Sequence, residues 1–141
     1  EKVMKCMKKS DIFIGCAAVS NFKPSDYSAK KIKKEDSLNL DIELEKNKDI
    51  LACVAEEFTQ AFVVGFAAET SDVIKNAQKK LIGKNLDMII SNDVSDKSIG
   101  FDVDENEVNV ITKAETILLV KDKKIRIARQ ILKIISLNIN N

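Results

Sequence analysis

Histidine is absent from all 141 residues, which removes a histidine general base, a Ser-His-Asp or Cys-His nucleophile and any imidazole metal site. Chemistry on this chain falls to Lys, Asp, Glu and Asn. Cysteine is scarce: Cys6, Cys16 and Cys53 are odd in number and lack metal-ligand spacing, a pattern that predicts buried, reduced thiols in a cytoplasmic protein. Long hydrophobic runs are missing too. No stretch approaches the roughly 20 apolar residues of a membrane helix, and the N-terminus lacks the basic, apolar and small-residue plan of a signal peptide. The expectation is a soluble chain with no membrane partner. Charge of one sign is not in excess either, with 23 basic residues against 22 acidic ones, so no global field argues for nucleic acid. Any anion site must be local.

What is present suits one domain, since 141 residues at 45% hydrophobic content suffice for one real core and fall short of two. Residues 1–9 have apolar positions at helical spacing without an initiating Met or cap, and read as a helix entered part-way. Asp11 to Val19 is continuously apolar, which predicts a strand buried on both faces. From Asn21 to about Asp41 the pattern is lost around Pro24 and many Lys, Ser and Asp residues, so a long loop is expected. Asn47 then reads as the cap of a helix from Asp49 to Phe58, with Ile50, Leu51, Val54 and Phe58 on one face. A buried strand is expected at 62–68. Thr70 or Ser71 caps a helix to about Ile82, striped by Val73, Ile74, Ala77 and Leu81, and a third strand follows at 87–91.

This alternation predicts right-handed crossovers and a parallel sheet covered by helices. Residues 107–112 and 116–120 read instead as an antiparallel hairpin, and 123–137 as a closing helix bearing Ile127, Ala128, Ile131, Leu132 and Ile135, with fraying from Asn138 onward. Small or polar clusters end the apolar runs at Cys16-Ala17-Ala18-Val19-Ser20-Asn21, Gly65-Phe66-Ala67-Ala68-Glu69-Thr70, Ser91-Asn92-Asp93-Val94 and Gly100-Phe101. Open α/β sheets bind ligands at such carboxyl ends. The segment Lys30-Lys31-Ile32-Lys33-Lys34 is a natural complement to a polyphosphate. Together they point to nucleotide chemistry.

The ordered series Ala17-Ala18-Val19-Ser20-Asn21-Phe22, Lys31-Ile32-Lys33-Lys34, Asn47-Lys48-Asp49-Ile50-Leu51, Val64-Gly65-Phe66-Ala67-Ala68-Glu69-Thr70, Lys84-Asn85-Leu86-Asp87, Asn92-Asp93-Val94 and Gly100-Phe101 resembles phosphopantothenoylcysteine synthetase. In bacteria this is usually the C-terminal half of a bifunctional coenzyme A biosynthesis protein whose other half is a flavin-dependent decarboxylase. The resemblance implies an α/β, Rossmann-like three-layer sandwich with a mainly parallel sheet and an additional antiparallel hairpin. It also implies a homodimer that joins 4′-phosphopantothenate to L-cysteine. CTP activates the carboxylate as an acyl cytidylate, pyrophosphate leaves, and the cysteine amine displaces CMP. Mg²⁺ is the implied metal, and FMN is implied only where a decarboxylase half is present.

The implied nucleotide contacts are Gly15, Cys16, Ala17, Asn21, Lys31, Lys48, Asp49, Ile50, Leu51, Phe66, Lys80 and Lys84, with Ala18, Asn92 and Asp93 lining the site. Lys31 is the implied catalytic residue, stabilising transition-state charge from a flap at about 22–41. Residues 1–100 are then the nucleotide-binding part, 101–122 the hairpin with a dimer contact, and 123–141 the closing helix and tail. Two residues depart from the family pattern: Asn21 stands where bacterial members commonly have Asp, and Lys48 where they commonly have Pro. The family's first strand, Gly-rich turn and Ser-Ser-Gly segment are expected before Glu1, so this is read as a single, incomplete synthetase domain.

Read from the residues alone, alternatives stay open. The Lys30–Lys34 cluster also reads as a solvated loop balanced by Glu35 and Asp36, and Lys80 and Lys84 as cations favoured at a helix C-terminus. Phe66 also reads as sheet packing, Gly65 as relief of a close helix contact, and Asn92-Asp93 as a turn. An ATP-using variant and a non-catalytic nucleotide-binding or dimerisation module are the competing functions.

Overall fold

The apolar runs at 62–65 and 88–90 reflect strand segments largely covered on both sides, and the two strands that contain them form the centre of the sheet. The computed structural model describes residues 1–30, 41–95, 98–99 and 103–139. Their order is α1 (Lys2–Met7), β1 (Ile12–Gly15), β2 (Phe22–Pro24), β3 (Leu44–Lys46), α2 (Ile50–Glu57), β4 (Phe62–Glu69), α3 (Val73–Gly83), β5 (Met88–Asp93), β6 (Glu105–Thr112), β7 (Thr116–Lys123) and α4 (Lys124–Ile139). The coordinates divide into two compact units, Glu1–Cys16 with Ile50–Asn141, and Ala17–Asp49.

In the larger unit the strand order is β1-β4-β5-β6-β7, parallel from β1 to β5 and antiparallel on either side of β6. Only β6 runs against the other four, so the sheet is mainly parallel. One face carries Val63, Ala67, Ile89 and Ile111 against Met7, Val54, Ala77 and Leu81 of the first three helices and Phe58 just after α2. The opposite face carries Val64, Met88, Ile90 and Val110 against Ile127, Ile131 and Ile135 of α4. These two cores give the expected three layers. Residues 87–88 are fastened back to β4, since the Val63 N–H donates to the Asp87 carboxylate at 2.7 Å and the Asp87 N–H donates to the Val63 carbonyl.

Several expectations require correction. β1 spans four residues rather than nine and is an edge strand: Ile12 and Ile14 are 42% and 37% exposed, having β4 as the only strand neighbour among the described residues. The thiols are free but not buried, with Cys6 and Cys16 exposed and Cys53 half-buried. α3 starts after Asp72, not Thr70 or Ser71; Asp72 has a left-handed backbone (φ 46°), and Ile74 points outward at 42% exposure. In α4, Ala128 and Leu132 lie off the buried stripe, and the helix continues to Ile139 instead of fraying at Asn138. The predicted hairpin is β6–β7, longer than expected and joined to the main sheet, with Thr112 Oγ1 accepting the Ala114 and Glu115 N–H groups at its turn. Among the described residues no helix is long and apolar enough to cross a membrane.

The smaller unit holds a hairpin that hydrophobic periodicity misses, because strands of three residues show no period. In it β2 pairs antiparallel with β3, matching Phe22 to Lys46, Lys23 to Glu45 and Pro24 to Leu44. A Lys23–Glu45 ion pair at 2.7 Å crosses the ladder. The first residues of the expected loop are thus a strand, while 31–40 lie outside the described residues.

Candidate functional site

The parallel strands β1, β4 and β5 end at Gly15, Glu69 and Asp93, and β4 and β5 finish in register, Ala68 beside Asn92 and Glu69 beside Asp93. Gly15 and Gly65 are also paired across β1 and β4. A Cβ on Gly65 would meet Leu51 Cδ2 at 2.7 Å and Leu86 Cδ1 at 3.0 Å, and one on Gly15 would meet Leu51 Cδ1 at 3.0 Å. The glycine pair is therefore a seat for Leu51, the second residue of α2. This seat fixes the start of α2 against the sheet, and it explains why the motifs containing Gly15, Leu51 and Gly65 occur together.

Leu86 packs on the same glycine, Asn85 takes a left-handed backbone (φ 50°), and Asp87 holds β4, so Lys84-Asn85-Leu86-Asp87 is largely a structural turn. Two further motifs meet inside the smaller unit. The Asn47 N–H donates to the Asn21 carbonyl at 2.9 Å and its side-chain amide donates to the Ser20 carbonyl at 2.8 Å. Asn47 thus closes that hairpin, three residues before α2 begins, rather than capping the helix.

In the larger unit, Cys16 follows the end of β1 and is exposed, Ile50 and Leu51 open α2, and Phe66 on β4 is 40% exposed. Lys80 and Lys84 lie on one turn at the end of α3, with the Lys84 N–H donating to the Lys80 carbonyl at 3.1 Å. Lys80 pairs with Glu69 at 2.5 Å. Asp93 makes the turn allowed for it, accepting from the Ser95 N–H at 2.8 Å and hydroxyl at 2.6 Å. Asn92 precedes it, half-buried. Ala17, Ala18, Asn21, Lys48 and Asp49 belong to the smaller unit and are exposed. Lys31, Gly100 and Phe101 lie outside the described residues.

A cleft of about 550 Å³ opens at the start of α3, lined by Asp72, Lys75, Gln78, Asp93, Glu107 and Asn109 among others. It shares only Asp93 with the sequence-predicted site. Among the described residues no group of three or more Cys, Asp or Glu is placed to hold a metal ion. Sequence reasoning named Glu69 only as part of the cluster that ends its apolar run; its pairing with Lys80 joins residues eleven apart and has no local signal.

Residues 1–138 match the model of the DNA/pantothenate metabolism flavoprotein C-terminal domain. The chain belongs to this family. It is 47% identical over 79% of its length to the coenzyme A biosynthesis bifunctional protein CoaBC of Vibrio cholerae, and 42% identical over 80% to that of Bacillus subtilis. It spans 28% of the length of each of these curated relatives. A crystal structure of the C-terminal domain of a CoaBC protein superposes with a TM-score of 0.76 at 32% identity, covering 99% of this chain and 61% of that one.

Proposed function

We propose that this domain serves a phosphopantothenate–cysteine ligase of coenzyme A biosynthesis, in the cytoplasm and as a homodimer. The observation that carries the reading is the family match across residues 1–138; a sheet whose parallel strands end side by side and the lysines Lys80 and Lys84 at the end of α3 support it. The 4′-phosphopantothenate carboxylate attacks the α-phosphorus of CTP, pyrophosphate leaves, and the amine of L-cysteine then displaces CMP from the acyl carbon. Lys31, Lys80 and Lys84 offset the charge that concentrates on the phosphate oxygens. The nucleoside contacts implied by the family resemblance are Gly15, Cys16, Ile50, Leu51 and Phe66 of the larger unit and Ala17, Asn21, Lys48 and Asp49 of the smaller, with Asn92 and Asp93 of the larger and Ala18 of the smaller as lining residues. Mg²⁺ supplies charge compensation as part of the incoming nucleotide complex. The exposed Leu118 and Val120 on the edge strand β7 favour dimerisation there, because an uncovered apolar edge invites pairing.

The test is to replace the matching stretch of the Vibrio cholerae relative with this chain and measure cysteine-dependent pyrophosphate release. Release with CTP at least about tenfold better than with ATP, roughly 1.4 kcal/mol, is expected. Equal or reversed preference identifies the ATP-using variant, and nucleotide binding without release identifies a non-catalytic module. In the same protein Lys31→Gln should lower turnover a hundredfold or more, on the order of 3 kcal/mol. Unchanged turnover removes Lys31 from the mechanism. The chain should bind CTP and should scatter light with the mass of two chains; a mass of one chain at micromolar concentration counts against the dimer.

A further inference from the structure

Glu69 closes β4 with its side chain only 13% exposed, whereas the Lys80 side chain that meets it is 45% exposed. This asymmetry identifies the anchor. The Glu69 backbone is fixed by the β4–β5 ladder and by its carbonyl, which accepts the Val94 N–H at 2.9 Å, and burial of the side chain restricts the carboxylate more than solvent restricts the lysine. Lys80 by contrast sits at the end of a helix on a long, entropically free stem, and its ammonium is brought to Glu69 Oε1 at 2.5 Å. An ammonium has three N–H donors, and one such contact leaves donors available for a second acceptor.

We infer that Glu69 is a positioning residue: it holds the Lys80 ammonium at the carboxyl end of β4 so that the remaining donors meet a phosphate group of the nucleotide. This rests on the reading above in which Lys80 contacts the triphosphate. The simpler electrostatic account has the opposite sign. If Glu69 did no more than place negative charge beside Asp93, removing that charge would strengthen the binding of an anion.

The experiment is a double-mutant cycle on the full chain, with CTP, pyrophosphate and cytidine titrated into the wild type, Glu69→Gln, Lys80→Ala and the double variant. Glu69→Gln should weaken CTP and pyrophosphate by about fivefold, in keeping with the loss of one oriented charge-assisted contact, and leave cytidine unchanged. Once Lys80→Ala is present, Glu69→Gln should have no further effect. A purely structural role would weaken all three ligands and would persist in the double variant. Unchanged or tighter CTP binding in Glu69→Gln, or additive losses, overturns the inference while a loss in Lys80→Ala keeps the nucleotide reading. If Lys80→Ala binds CTP as the wild type does, or the wild type binds none, the reading of Lys80 fails and the inference fails with it.

Discussion

β1 and β4 are neighbours with nearly the same vocabulary, apolar and β-branched or aromatic residues leading to a glycine, yet one is an edge and the other the centre of the sheet. Val63 and Val64 of β4 are 1% and 0% exposed, while their register partners Phe13 and Ile14 are half-buried and 37% exposed. Strand composition records what a strand can bury. Its place in the sheet decides what it does bury, because β4 has strands on both sides and helices on both faces whereas β1 has β4 alone among the described strands. The paired glycines carry the same contrast: Gly65 lies between Leu51 and Leu86, while Gly15 meets Leu51 and its own strand's Phe13.

The contrast predicts a graded series in chemical denaturation, read as midpoint shifts at constant denaturant dependence. Gly65→Val should be the most damaging, at about 3 kcal/mol, since even its first carbon overlaps Leu51 and the fully buried Leu86 lies at 3.0 Å on the other side. A loss below about 1 kcal/mol would show the seat to be soft. Val64→Ala should cost about 2 kcal/mol by opening a cavity between the sheet and α4. Gly15→Ala should cost about 1 kcal/mol, the contacts being looser and one side chain at a sheet edge able to shift. Should it equal Gly65→Val, the distinction between edge and centre would collapse at this pair. Ile14→Thr should change stability by less than about 0.5 kcal/mol, as expected of an exposed position. A loss well above that, or one that depends on protein concentration, would mean that something covers β1 in solution.

Much of the fold was legible because its strongest signals are long. β4, α3, β5, the β6–β7 hairpin and α4 all lie where continuous apolarity, helical stripes or alternation place them. The β2–β3 hairpin was not legible, since three residues on each side carry no period and the pairing depends on Lys23 meeting Glu45 across a long connection. Helix starts were missed for a related reason. Thr70, Ser71 and Asp72 are all residue types that suit a cap, and the helix starts after Asp72, whose carbonyl accepts the Asn76 N–H although its side chain makes no cap bond.

By itself the sequence determined the family, the layered α/β class, the absence of histidine chemistry and the motifs that cluster at strand ends, because these depend on residue identity and order. Tertiary structure decided that Gly15 and Gly65 form one seat for Leu51, that Asn47 fastens Ser20 and Asn21 instead of capping α2, and that Lys80 is held by Glu69. It also decided that β1 lies at an edge. Each of these joins residues far apart in the chain, and such contacts are set by register and crossover geometry rather than by any local pattern of residues.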